Sequence, residues 1–164
     1  MEPSESWPLW AVALQNSGLG VAIRHSIWLY PLGNVLHVLG VALFVGSIVT
    51  LDLRLLGFGR RYVSAEGASK LLTPVAVLGI LLLVPGGLII FIADAGPMAA
   101  NSLLQLKMVL IAAGLINAWL FRRDWNPRLG DWDAGAPGGG RAQTLLSLAI
   151  WLSVPTIGRL IAYV

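Results

Sequence analysis

The chain has 164 residues, 57% of them hydrophobic and only 12% charged, with a mean hydropathy of +0.78. A soluble domain carries about twice that charged fraction, so the composition excludes a water-soluble fold and makes the lipid bilayer the first partner. The formal charge of +3 does not point to nucleic acid, because the basic residues sit at the ends of apolar runs and read as topology signals. The chain has no cysteine, which excludes disulfides, thiolate metal sites and C-x-x-C-H haem attachment. The candidate ligands are then His25, His37, Met1, Met98, Met108, carboxylates and the backbone.

From the N-terminus, residues 1–30 carry Glu2 and Glu5 and no basic leader, so no cleaved signal peptide is expected. Trp7, Trp10 and Trp28 make this an amphipathic segment lying in the membrane interface, since indole rings prefer the headgroup level. Pro31 suits a first helical turn and pushes Tyr30 out of the α region, which starts the membrane domain, residues 31–164, at that point.

Four spans are expected: about 31–55, 74–94, 102–122 and 142–163, each near the roughly 20 residues that cross a hydrocarbon core. The fold class is therefore an all-α membrane protein, a four-helix transmembrane bundle preceded by an interfacial helix. Thr73 is the expected N-cap of the second span, with residues 62–72 approaching it along the surface. Pro85, Gly86 and Gly87 predict a kink or local opening within it. Residues 130–140, rich in Gly and Pro, read as a flexible loop without packed structure. The helix pairs on either side of the link at residues 94–101 suggest a pseudo-duplicate.

Arg54, Arg60, Arg61 and Lys70 flank the first connection, and Arg122, Arg123, Arg128 and Arg141 the third. Only Arg24, Lys107 and Arg159 of the eleven basic side chains lie elsewhere. By the positive-inside rule both connections face the cytoplasm, which places both termini on the periplasmic side of a bacterial inner membrane. Trp119, Trp125 and Trp132 read as the inner aromatic belt. Asp52 beside Arg54, and Asn117 near Arg122, read as helix-end ion pairing and polar packing, with a second polar site as the alternative.

The candidate site is at the outer end. At about 1.5 Å per residue, His37 lies about 9 Å into the first span, Lys107 about 7.5 Å into the third and Arg159 about 6 Å from the end of the fourth. An ionisable side chain at membrane depth is costly and is a functional candidate by default. Snorkelling cations and a hydrogen-bonded structural histidine are the simpler alternative. Gly33, Gly40 and Ser47 recur every seventh residue on the face near His37 and admit either a close helix or a flat ring. The imidazole and two cations favour a ring such as haem b, with His37 as axial ligand, His25 or Met108 as the second, and Lys107 and Arg159 holding propionates or a quinone carbonyl.

The stretches LHVLGVALFVGSIVTLDLRLLG, FIADA with LLQLKMVLIAAGLINAWLF, and WLSVPTIGRLIAYV resemble a widespread bacterial family of small four-span membrane proteins. More distantly, a histidine on the first span with a lysine early in the third is similar to copper-resistance protein D and to HemJ-type protoporphyrinogen oxidases, the latter associated with haem b. The resemblance implies His37 as ligand or proton-handling residue and Lys107 as the cation opposite it.

The leading expectation is thus a haem b electron-transfer protein linking a periplasmic partner to quinone. The alternatives are transport or delivery of copper or another small cation, with metal ligands His37 and His25 and with Met98 at the mouth, and a structural subunit of a larger membrane complex.

Overall fold

The computed structural model describes residues 7–163, without the Ala162 side chain; the first six residues of the expected interfacial segment, Met1 among them, lie outside the described residues. The described residues are helical and contain no strand. Two short helices, α1 (Leu9–Gln15) and α2 (Gly18–His25), precede α3 (Leu29–Leu55), α4 (Ala65–Ala93), the single-turn α5 (Ala95–Ala100), α6 (Ser102–Asp124) and α7 (Gly138–Leu160). A 3₁₀ segment, Asn126–Asp131, follows α6, and another, Ile161–Tyr163, follows α7.

Three helices, α3, α4 and α6, are long and apolar enough to cross a membrane. The fourth expected span, α7, matches α6 in length at 23 residues. Its composition differs, because Arg141, Gln143, Thr144, Ser147, Ser153, Thr156 and Arg159 are spread along it.

Helix α3 pairs closely with α4, α6 with α7, and α3 also packs on α7. Between α4 and α6 there is no extended packing among the described residues. The α3–α4 seam explains the seven-residue glycine spacing. A Cβ on Gly33 would lie 2.6 Å from Ile89 Cγ2, and the Leu83 backbone stands where a Cβ on Gly40 would go. From the other side, a Cβ on Gly79 would lie 2.5 Å from the Phe44 backbone nitrogen, and one on Gly86 2.5 Å from that of His37. Small residues at both faces let two backbones approach, the main source of helix association in lipid. The glycine face is therefore filled by a helix and not by a ring.

Several local expectations are corrected. Helix α4 begins at Ala65, a full two turns before Pro74, because Ser64 caps it by accepting from Gly67 N at 3.0 Å. Thr73 is inside the helix, and residues 65–72 belong to the span. The helix also continues through Pro85, Gly86 and Gly87; each proline simply leaves one carbonyl without its helical donor. Gly57 and Gly59, at φ of 109° and 68°, make the turn out of α3, a conformation glycine adopts without steric cost.

The Gly/Pro-rich stretch is not a free loop. Leu129 and Trp132 are buried with Leu55 and Ala65, and Trp132, only 3% exposed, donates from Nε1 to the Leu55 carbonyl at 2.9 Å. Trp132 is thus a core residue, Trp125 hydrogen-bonds Gln143, and only Trp119 keeps the exposed position expected of an interface anchor. Next to Trp132, Asp133 pairs with the buried Arg54 and accepts from Ala65 N at 3.1 Å. Arg54 therefore pairs across the fold and not with Asp52. Two apolar residues and one carboxylate are enough to fasten a segment whose glycines and prolines suggest freedom.

At the opposite end, Trp10 stacks on Phe91, Gly96 N donates to Gln15 Oε1 at 2.8 Å, and Arg24 donates to the carbonyls of Gln15 and Ala93 at 2.6 and 3.1 Å. Arg24 so caps the C-terminal end of α4, where a cation complements the helix dipole.

Candidate functional site

His37 is half-buried, with its ring over Gly87, where a Cβ would lie 3.0 Å from Nδ1 and 3.1 Å from Cε1. The two glycines of α4 bring the imidazole to the helix backbone, and Nδ1 stands 3.1 Å from the Leu83 carbonyl. A carbonyl only accepts, so Nδ1 carries the proton in this bond and Nε2 keeps its lone pair in the neutral ring.

His37 lines a chamber of about 130 Å³ together with Val41, Leu83, Lys107, Val154 and Pro155. Lys107 reaches it past α7, where Gly158 makes room: a Cβ there would lie 3.1 Å from Nζ. Of the five residues expected around one cofactor, the fold brings these two together. Met108 is 57% exposed, and its neighbour Lys107 takes the inward position, as their separation of about 100° around the helix requires. Arg159 is exposed and occupied by Tyr163, donating to its hydroxyl at 2.8 Å with the guanidinium 5.1 Å over its ring. His25 is exposed at the end of α2 and does not line the chamber, nor does Met98 on α5.

This arrangement does not fit haem b. The chamber is smaller than the roughly 300 Å³ at which ligand pockets begin. Among the described residues no second His or Met lines it, and the glycine face is taken by α4. The copper expectation lacks its ligands as well: His37 and His25 are not brought together, and the described residues contain no group of three His, Asp or Glu suited to a metal ion.

A second chamber, about 260 Å³, lies toward the Arg54 end of α3. Asp52, Ser47, Asn117, Thr144 and Ser147 line it from α3, α6 and α7, with Thr73 and Arg122 also at its wall. Arg122 is exposed and donates to Thr73 Oγ1 at 3.1 Å, the link that bridges α4 to α6 here. Asp52 is only 6% exposed, and its Oδ2 has no partner within the described protein; the Nε1 of Trp151, 3% exposed, has none either.

The comparisons with known proteins come to one result. The chain matches no protein family, no curated protein and no solved structure. Its function must be read from the geometry of these two chambers.

The chambers share a wall. Phe44, Ile80, Leu115 and Trp151 line both, and within that wall Phe44 and Trp151 meet edge to face with ring centres 4.6 Å apart. Gly114 on α6 admits the indole, since a Cβ there would lie 2.7 Å from Trp151 Cζ2. The lower chamber escaped the reading of the sequence as a main site. Its available signal was the stripe Thr144, Ser147, Trp151 and Val154 at three- and four-residue spacing on the last helix, which puts polar groups on the buried face.

Proposed function

We propose that this protein passes protons across a bacterial inner membrane, with His37 and Asp52 as proton-handling groups on either side of the Phe44–Trp151 wall. The observation that carries the reading is the pair of chambers on one path, each holding an ionisable side chain at membrane depth and separated by a single layer of apolar and aromatic groups. Ionisable residues inside spans are expensive and mark ion pathways and proton relays.

In this reading α7 is the fourth span. Its low hydropathy has a physical reason: Thr144, Ser147 and Trp151 face the bundle interior and not lipid, so a polar stripe does not prevent insertion. The Arg54 end, rich in Arg and Lys, is the cytoplasmic one, and both termini are periplasmic. His37, with Nδ1 held by Leu83, exchanges protons through Nε2 with the periplasmic side, and Asp52 does so with the cytoplasmic side. The likeness to HemJ-type and copper-resistance proteins then lies in where the histidine and lysine sit, not in a shared cofactor.

The test uses the whole protein in liposomes containing a pH-sensitive dye, with a potassium diffusion potential as driving force. Acidification is expected to be at least about tenfold faster than in protein-free vesicles, and His37→Gln and Asp52→Asn are each expected to remove most of it. Wild-type flux equal to that of empty vesicles overturns the proposal, as does full flux in both variants.

A further inference from the structure

The Asp52 chamber has a directional bias in its hydrogen-bonding groups. Thr144 gives its only hydroxyl proton to the Gly140 carbonyl at 2.9 Å, and Asn117 gives an amide proton to the Gln143 carbonyl at 3.1 Å. Thr144 has only oxygen lone pairs left for the chamber, and Asn117 keeps its Oδ1 acceptor with one remaining N–H. Ser147, one turn beyond Thr144, is the hydroxyl that faces the Asp52 carboxyl. Asp52 Oδ2 adds an acceptor without a partner. A buried group of oxygens with one carboxyl and few free donors is complementary to a hard cation.

We infer that the Asp52 chamber binds a small hard monovalent cation, held by Asp52, Asn117, Thr144 and Ser147. The charge is set by the lining: among the described residues Asp52 is the single acidic one there, so a divalent ion would leave net positive charge in an apolar wall. The other charged residue of the chamber, Arg122, is directed to Thr73 on α4 and stays exposed at the edge. On its own helix, the nearby Arg54 is engaged by Asp133. No other charged side chain lines the chamber among the described residues. Trp151 Nε1, also without a partner, supplies a donor for a water on the ion.

The inference deepens the proton-passage reading, because the cation and the proton then compete for one carboxyl. Its test is independent of flux. Thermal unfolding of the detergent-purified full chain is measured in sodium chloride and in choline chloride at equal ionic strength. Sodium at tenfold excess over its dissociation constant is expected to raise the midpoint by about 3–6 °C over choline, and lower pH is expected to shrink that difference as protons occupy Asp52. Asp52→Asn is expected to abolish it, and Ser147→Ala, which removes one ligand with little volume change, to reduce it. Equal midpoints in sodium and choline overturn the inference while leaving proton passage standing; a sodium shift retained in Asp52→Asn overturns the assignment to this chamber.

Discussion

The Nδ1 of His37 and the carbonyl of Leu83 meet at 3.1 Å across the α3–α4 seam, and the bond exists because residues 86 and 87 have no side chains. Gly87→Ala places a methyl 3.0 Å from Nδ1, so the ring must move while the backbone need not. The expected result is a several-fold loss of proton flux with little change in thermal stability. Gly86→Ala instead meets the His37 backbone at 2.5 Å and must separate the helices. It is expected to destabilise the protein by about 1–3 kcal/mol. Unfolding midpoints measured beside flux separate the two effects.

Met108, Arg159 and His25 lie outside both chambers. Met108→Leu, Arg159→Ala and His25→Ala are therefore expected to leave proton flux within about twofold of wild type, since none removes a lining group. Absorption spectra of protein from haem-replete cells, before and after dithionite, are expected to lack a Soret band. A Soret band that His37→Ala abolishes would restore the haem reading.

Trp132 combines burial with one hydrogen bond, and the two contributions separate by substitution. Trp132→Phe keeps the ring beside Phe121 and Trp125 and leaves the Leu55 carbonyl without its donor. It is expected to cost about 1 kcal/mol. Trp132→Ala empties the pocket as well, at about 3–5 kcal/mol. Chemical denaturation of the two variants in detergent measures the difference, and equal losses would show that packing contributes nothing.

The Asp133 carboxyl lies outside the spans, and the hydrogen bond from Arg54 holds it below the ordinary carboxylate range, helped by the Ala65 amide. A group whose folded pKa is depressed contributes stability that is complete above its unfolded value and is lost as pH falls through the folded one. The unfolding midpoint of the wild type should therefore fall as the solution is acidified through and below the ordinary carboxylate range. Asp133→Asn should start lower at neutral pH and show a shallower fall over that window. Because Asp133 is at the surface, salt is expected to reduce the difference. Parallel pH profiles for the two proteins would mean that Asp133 contributes nothing to the acid sensitivity.

Composition and run length alone determined that the chain is helical and membrane-bound, because lipid leaves a polar backbone few ways to be satisfied and long apolar runs take the helical one. They also placed the start of α6 at Ser102, whereas α3 begins at Leu29 with Tyr30 already helical and Pro31 inside its first turn, a position that proline tolerates. Which way each side chain turns was decided by packing. Arg159 faces Tyr163, and Met108 gives way to Lys107 because neighbours on a helix diverge by about 100°. The seven-residue glycines are compatible with a ring or a helix until α4 is seen to fill them. Leu129, Trp132 and Asp133 bind a stretch whose composition indicates only how free it would be alone. Asp52, Asn117, Thr144 and Ser147 come from three helices separated by up to 95 positions in the chain, and a chamber made of such distant parts exists only once the helices pack.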